Sequence, residues 1–133
     1  MGVMARPQKE VLDERQNFMQ VITDCAKDPS LFSEVFLDHK LFPYNKKYVN
    51  CNDRFIVYRS GRQVGKTMST AVKTIHFAFF APVLLKTVKH ECIILIAAPT
   101  QNQASIMFGR IRDLIMKNEF LRGYVVRDTQ TEI

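Results

Sequence analysis

Lys66 and Thr67 end an eight-residue stretch, SGRQVGKT, that begins at Ser60 and could hold a phosphate group. A phosphate-binding loop needs backbone N–H groups that converge on the anion, a positive side chain, and a hydroxyl that can hold Mg²⁺. Gly61 and Gly65 would let the backbone curve close to the phosphates. Lys66 would reach the β- and γ-phosphates of a nucleotide, and Thr67 would bind Mg²⁺.

The beginning of this loop departs from the common phosphate-binding pattern. That pattern, G-x-x-x-x-G-K-[ST], would place a glycine at position 60, but Ser60 stands there and the nearby glycine is Gly61. The interior holds Arg62 and Gln63. An arginine here adds positive charge within reach of a γ-phosphate, where charge develops during phosphoryl transfer. The alternative is a guanidinium that faces solvent or pairs with an acidic side chain. We predict that Arg62 reaches the γ-phosphate, so Arg62 and Lys66 are the candidate catalytic residues.

The segments around the loop alternate between strand-like and helix-like patterns. Short apolar, β-branched runs bounded by turn residues are typical of buried strands, and apolar residues spaced three and four apart are typical of helices. The predicted order is strand, loop, helix, strand, helix, strand: Phe55–Tyr58, the loop, the residues from Lys66 to Pro82, Glu91–Thr100, Ala104–Ile115 and Gly123–Ile133. This alternation predicts an α/β fold with a parallel sheet flanked by helices, and a ligand at the carboxyl ends of the strands.

The N-terminal part of the chain predicts helices rather than strands. Apolar residues recur at helical spacing from Lys9 to about Lys27, and Asp28-Pro29-Ser30 then stops that helix and caps a second one. Leu41–Asp53 is rich in Asn, Lys and Tyr and indicates a connector. The predicted organisation is one domain, with a helical lead-in over residues 1–40 and a nucleotide-binding part over residues 41–133.

Composition narrows the class of protein. The 133 residues, 47% hydrophobic and 24% charged, are typical of one globular domain and exclude a disordered chain. Nineteen Lys and Arg against thirteen Asp and Glu give a net charge of +6, which suits a partner that carries phosphates, although a merely basic surface is the alternative. Cys25, Cys51 and Cys92 have no metal-site spacing, so we expect reduced thiols.

Hydropathy predicts no membrane segment. The N-terminus lacks the apolar region of a signal peptide, and the apolar run from Phe77 to Leu85 is short and contains Pro82. We therefore expect a cytoplasmic protein with no membrane partner.

The loop resembles the variant Walker A loop of viral large terminase subunits, the ATPases that drive genome DNA into preformed capsids. In that family an R-Q-x-G-K-[ST] core replaces the ordinary lead, so Ser60 is expected at its position. Residues 28–49 resemble the family's helical lead-in, which ends in a P-Y-Q adenine motif, and residues 96–115 resemble its second strand and following helix. One position departs from the family: Asn45 replaces the adenine-contacting Gln and is one methylene shorter.

The resemblance implies the N-terminal portion of a P-loop NTPase-type ATPase domain that uses ATP and Mg²⁺. The implied partners in the complete protein are double-stranded DNA and the capsid portal or small terminase subunit, in the cytoplasm of the host cell. Thr67 would hold Mg²⁺, and Tyr44 would either contact the base or pack beneath the connector. The implied nucleotide contacts are Tyr44, Asn45, Ser60, Gly61, Arg62, Gln63, Val64, Gly65, Lys66 and Thr67.

The carboxylates that hydrolysis requires are not evident, because no apolar run ends in Asp-Glu. The resemblance places that Walker B strand beyond position 133, so the sheet would be incomplete. An unpaired inner strand edge is costly, which predicts self-association through unpaired sheet edges, a rearranged sheet, or low stability.

Two other functions stay open at this point. One is a helicase-like nucleic-acid-dependent ATPase, in which Pro99-Thr100-Gln101 would touch the nucleic-acid backbone. The other is a non-catalytic remnant of a truncated prophage gene.

Overall fold

The computed structural model describes residues 8–84 and 92–128, with side chains described from residue 13 onwards. These ranges contain six helices and no β-strand. The helices are α1 (Gln8–Lys27), α2 (Pro29–Phe36), α3 (Pro43–Val49), α4 (Lys66–Leu84), α5 (Gln101–Lys117) and α6 (Glu119–Arg122). None of them has both the length and the apolar composition that crossing a bilayer requires.

The helix start that was predicted at Asp28 is confirmed, and a second capping residue, Thr100, begins α5. The Asp28 carboxylate accepts hydrogen bonds from the backbone N–H groups of Ser30 (2.9 Å) and Leu31 (3.3 Å), and so caps α2. Thr100 caps α5 in the same way, because its hydroxyl accepts from the Gln103 N–H at 3.3 Å. Each cap satisfies N–H groups that have no partner inside their helix.

The predicted parallel sheet, and with it the α/β P-loop NTPase-type fold, is wrong for the described residues. Phe55–Tyr58 and residues 92–98 lack regular secondary structure, and residues 125–128 of the third predicted strand lack it too. Residues 129–133 of that strand, and Glu91 of the second, lie outside the described residues. The sheet edges on which predicted self-association depended are therefore absent from the described part of the chain.

The physical reason is that an apolar, β-branched sequence forms a strand only when a neighbour pairs with its backbone and a layer covers its side chains. Here the side chains of the two segments are largely uncovered. Phe55 and Val57 are 83% and 89% exposed, and Ile93 and Leu95 are 85% and 87% exposed. The composition of each segment would suit a paired and covered strand. The described residues provide neither the pairing partner nor the covering layer.

Two local predictions also need correction, and one short helix was not predicted. Pro82 does not end its helix, since α4 continues to Leu84; proline removes one backbone N–H, and one lost bond near a helix end is tolerated. The predicted connector contains α3, with Pro43 at its first helical turn where the missing N–H costs nothing. The short helix α6, Glu119–Arg122, was not predicted.

The core lies between the helices and centres on α4, which packs against α2, α3 and α5. Phe32 of α2 is fully buried, and its ring lies 5.3–6.4 Å, between centroids, from the rings of Phe36, His76, Phe79 and Phe80. These ring contacts join α2 to α4. The buried hydrophobic residues are Cys25, Phe32, Phe36, Leu37, Leu41, Val49, Ala71, Val72, Ile75, Phe80, Ala81, Ile111, Leu114 and Leu121.

Lys73 connects α4 to the end of α3. Its ammonium donates to the backbone carbonyls of Val49 (2.9 Å) and Cys51 (2.5 Å). These carbonyls lie at the C-terminal end of α3, where the helix dipole favours a cation. Burial lowers the pKa of Lys73 below its ordinary value. The contact fixes α3 against the helix that begins at the candidate phosphate loop.

His76 gives the fold a predicted sensitivity to acid. Its side chain is 5% exposed, and Nε2 donates to the Cys25 carbonyl at 2.9 Å. Burial lowers the pKa of His76, although the backbone hydrogen bonds at Cys25 and Ala26 act in the opposite direction. In the unfolded chain His76 therefore binds a proton below about pH 6.5, whereas in the folded chain it does so only at a lower pH. The contribution of the neutral His76 ring to the free energy of unfolding is fully present above that pH. It decreases as the pH falls towards the folded pKa, by at most about 1.4 kcal/mol per pH unit.

This pH effect can be measured by urea unfolding at pH 7.5 and 5.5. We expect His76→Gln to reduce the difference in unfolding free energy between the two pH values, since glutamine is neutral at both. His39→Gln is the matched control, because His39 lies outside the core and should leave the difference unchanged. An equal reduction in both variants would contradict the role of His76.

Candidate phosphate-binding site

The candidate loop, residues 60–67, leads directly into α4, which begins at Lys66. Its backbone is left-handed at two positions, with φ of 59° at Gln63 and 81° at Gly65. Left-handed residues that alternate with right-handed ones turn successive N–H groups towards one side and create a concave anion site. Glycine adopts this conformation freely, whereas at Gln63 it costs about 1–2 kcal/mol. Positive φ at Gln63 and Gly65, with no positive φ at Val64 between them, is the alternation found in anion-binding nests, and at Gln63 this conformation has a cost.

The N-terminus of α4 contributes the second element of the site. The first N–H groups of a helix have no partner within it, and they carry a partial positive charge that attracts anions. Gly65 is fixed to this first turn, because its carbonyl accepts both the Ser69 N–H (2.9 Å) and the Ser69 hydroxyl (2.8 Å). Two hydrogen bonds therefore join the end of the loop to the first turn of the helix.

Lys66 folds back over the loop. Its exposed ammonium donates to the Ser60 carbonyl at 2.8 Å and so joins the two ends of the loop. An ammonium has three N–H donors, so two stay available for a phosphate. In the described part of the chain, the buried Ser60 hydroxyl has no hydrogen-bond partner, as a group that awaits a ligand or water would.

The other charged and hydroxyl residues of the loop lie at the surface. Arg62 is exposed in the turn, and Thr67 is exposed in the first turn of α4. Gly61 is also exposed and does not have a positive φ. The left-handed conformation that a glycine favours occurs at Gln63 instead. The described residues contain no group of three His, Cys, Asp or Glu side chains arranged to hold a metal ion.

Asn45 and Tyr44, the predicted base contacts, are placed very differently. Asn45 is 2% exposed, its Nδ2 donates to the Val64 carbonyl at 3.0 Å, and its Oδ1 accepts from the Tyr58 hydroxyl. Tyr44 is 51% exposed, and its ring stacks on Phe42 with centroids 5.5 Å apart and planes within 6°. Asn45 therefore lies beneath the loop, while Tyr44 presents an aromatic face to solvent.

Tyr58 and Tyr48 also belong to this site, although neither was predicted to. Tyr58 stacks on Tyr48 with centroids 4.2 Å apart, and the Tyr48 hydroxyl lies 3.3 Å from the Thr70 hydroxyl. The available signal was helical spacing, because Asn45 and Tyr48 are three apart and share a face of α3. That signal could be used only after α3 had been recognised in the connector.

Comparisons of the chain with protein-family models, with curated proteins and with solved structures find no match.

Proposed function

We propose that this chain binds the triphosphate of ATP, with Mg²⁺, through the loop from Ser60 to Thr67. The observation that supports it is the left-handed nest at Gln63 and Gly65, placed directly before the N-terminus of α4 and bridged by Lys66. A nest of backbone N–H groups, a helix N-terminus and an ammonium with two N–H donors left after its bond to Ser60 together provide what a polyphosphate needs.

Each element has a separate role in this proposal. The loop N–H groups and the first turn of α4 hold the β-phosphate, and Lys66 neutralises charge on the β- and γ-phosphates. Thr67, whose exposed hydroxyl is a suitable hard oxygen ligand, would hold Mg²⁺, and the ion would offset the negative charge of the phosphates. Arg62 is exposed at the surface, and its guanidinium would meet the γ-phosphate and stabilise charge that develops during transfer.

The Phe42 and Tyr44 pair offers a place for the base. The stacked rings are 60% and 51% exposed, and Asn45, the next residue, contacts the loop. An exposed aromatic face can stack on a nucleobase whatever its hydrogen-bonding edge.

The wider proposal is that the chain is the ATP-binding portion of a terminase-like DNA-packaging ATPase, which acts on double-stranded DNA together with a portal or small terminase subunit. The sequence RQVGKT supports this choice, because its Arg-Gln lead resembles that family. The net charge of +6 suits a polyanionic partner.

The test of phosphate binding is calorimetry with MgATP on the wild type and on Lys66→Ala. Hydrogen bonds to charged groups contribute about 1.5–3 kcal/mol, so we expect the variant to bind about tenfold to a hundredfold more weakly. Lys117→Ala is the matched control, since Lys117 is an exposed lysine at the far end of α5. Equal affinities for the wild type and Lys66→Ala would refute the proposal.

A further inference from the structure

We propose that Asn45 is a positioning residue that holds the phosphate-binding loop from beneath, so that the site recognises a triphosphate with little discrimination between bases. This inference rests on the proposed function for the ligand, but its structural part concerns the loop alone. It departs from the role in adenine recognition that the family resemblance implies for this position.

The burial of Asn45 and its two hydrogen bonds leave no amide edge exposed to a base. Reading a base edge requires an amide N–H and a carbonyl that both face the ligand. Both ends of the Asn45 amide are already engaged, Nδ2 by the Val64 carbonyl and Oδ1 by the Tyr58 hydroxyl. With 2% of its surface exposed, Asn45 could turn towards a base only by breaking both bonds in a buried environment.

The same two bonds hold the loop on both sides. Tyr58 comes just before the loop and Val64 lies near its end, so a single side chain sets the distance between them. Tyr58 is itself held by its stacking on Tyr48 of α3. Asn45 can act as a fixed support because Lys73 anchors the end of α3 to α4.

The bond to Val64 also orients the N–H that a phosphate would use. In a trans peptide the C=O and the following N–H point in opposite directions. Because the Val64 carbonyl points towards Asn45, the Gly65 N–H points away from it, to the opposite side of the loop. Gly65 packs directly on the amide, since a Cβ at that position would lie 3.0 Å from Asn45 Nδ2.

Two conservative variants separate positioning from base reading. Asn45→Asp keeps the shape but places a carboxylate oxygen against the Val64 carbonyl, and Tyr58→Phe removes the hydroxyl while it keeps the ring stack. We expect Asn45→Asp to weaken binding of MgATP, MgGTP and inorganic tripolyphosphate by the same factor, about tenfold or more, and Tyr58→Phe to do so more mildly. The wild type should bind ATP and GTP within about tenfold of each other, because stacking tolerates any base. A loss confined to MgATP, with tripolyphosphate unaffected, would overturn the inference in favour of base reading.

A readout without ligand keeps this test independent of the proposed function. Trypsin can cut after Arg62 in the loop, and we expect Asn45→Asp and Tyr58→Phe to speed that cut several-fold while the far-UV circular dichroism stays unchanged. Asn52→Asp is the control, because it makes the same chemical change at an exposed position after α3 and should not alter the cut. If the wild type binds none of the three ligands, the proposed function fails, and faster cutting in the two variants would still support the holding role. Unchanged cutting in both variants would refute that role.

Discussion

Replacing Phe32 with alanine is expected to lower the free energy of unfolding by about 3–5 kcal/mol, the largest stability effect we predict for a single substitution in this chain. The Phe32 side chain is fully buried, and its ring contacts the rings of Phe36, Phe79 and Phe80 and the imidazole of His76. Alanine would leave a cavity at the junction of α2 and α4 that rigid aromatic neighbours cannot fill. Urea unfolding, followed by circular dichroism at 222 nm, measures the loss.

Phe55→Ala is the matched control for this prediction. The chemical change is the same, but Phe55 is 83% exposed, so we expect a change within about 0.5 kcal/mol. Phe32→Leu should fall between the two and stay measurable if Phe32→Ala does not fold. Similar losses for Phe32→Ala and Phe55→Ala would show that the helical core does not carry the stability.

The helices could be predicted because their signals are local. Asp28 and Thr100 cap the turn that follows them, and a capping side chain bonds to N–H groups two or three residues away whatever surrounds the helix. The helix α3 was missed for the opposite reason. Its seven residues, PYNKKYV, have little apolar periodicity, and it is held by Lys73 and by the contact of Asn45 with the loop, which lie far along the chain.

The sheet could not be judged from the sequence because strand formation is not local. Phe55–Tyr58 and the segment after Glu91 have the composition of buried strands, and composition reports only that a segment would fit a paired, covered position. Whether a pairing partner and a covering layer are present depends on the rest of the chain. With Val57 and Leu95 each more than four-fifths exposed, they are not provided by the described residues.

The position of the candidate loop at the start of a helix was predictable, and its backbone conformation was not. Gly65, Lys66 and Thr67 lie where the loop pattern places them, at the start of α4. The left-handed backbone at Gln63 was not predictable, because a glutamine rarely adopts a positive φ and the glycine at position 61 was the more obvious candidate. The supporting role of Tyr58 depends on a tertiary contact with α3 that no local pattern reports.

Gly65→Ala adds only one methyl group but is expected to cause a large loss of affinity for MgATP. At a φ of 81° an alanine is strained by about 1–2 kcal/mol, and its Cβ would lie 3.0 Å from Asn45 Nδ2, closer than side chains normally pack. Either Gly65 leaves the left-handed conformation, which destroys the nest, or Asn45 moves and releases the Val64 carbonyl. Both responses misdirect the N–H groups of the loop, so we expect MgATP affinity to fall by more than tenfold and stability by about 1–2 kcal/mol.

The chain has two other glycines that make this prediction specific. A Cβ at Gly61 would lie an ordinary 3.9 Å from the Val64 side chain, and φ there is not positive, so Gly61→Ala should change both binding and stability little. A Cβ at Gly109, inside α5, meets nothing within 4 Å, and Gly109→Ala should stabilise the fold by about 0.5–1 kcal/mol, because alanine favours a helix. The same added methyl group therefore has opposite expected effects on stability at positions 65 and 109. If Gly61→Ala lost as much affinity for MgATP as Gly65→Ala, the nest would have to be formed by the earlier glycine, as the sequence first suggested.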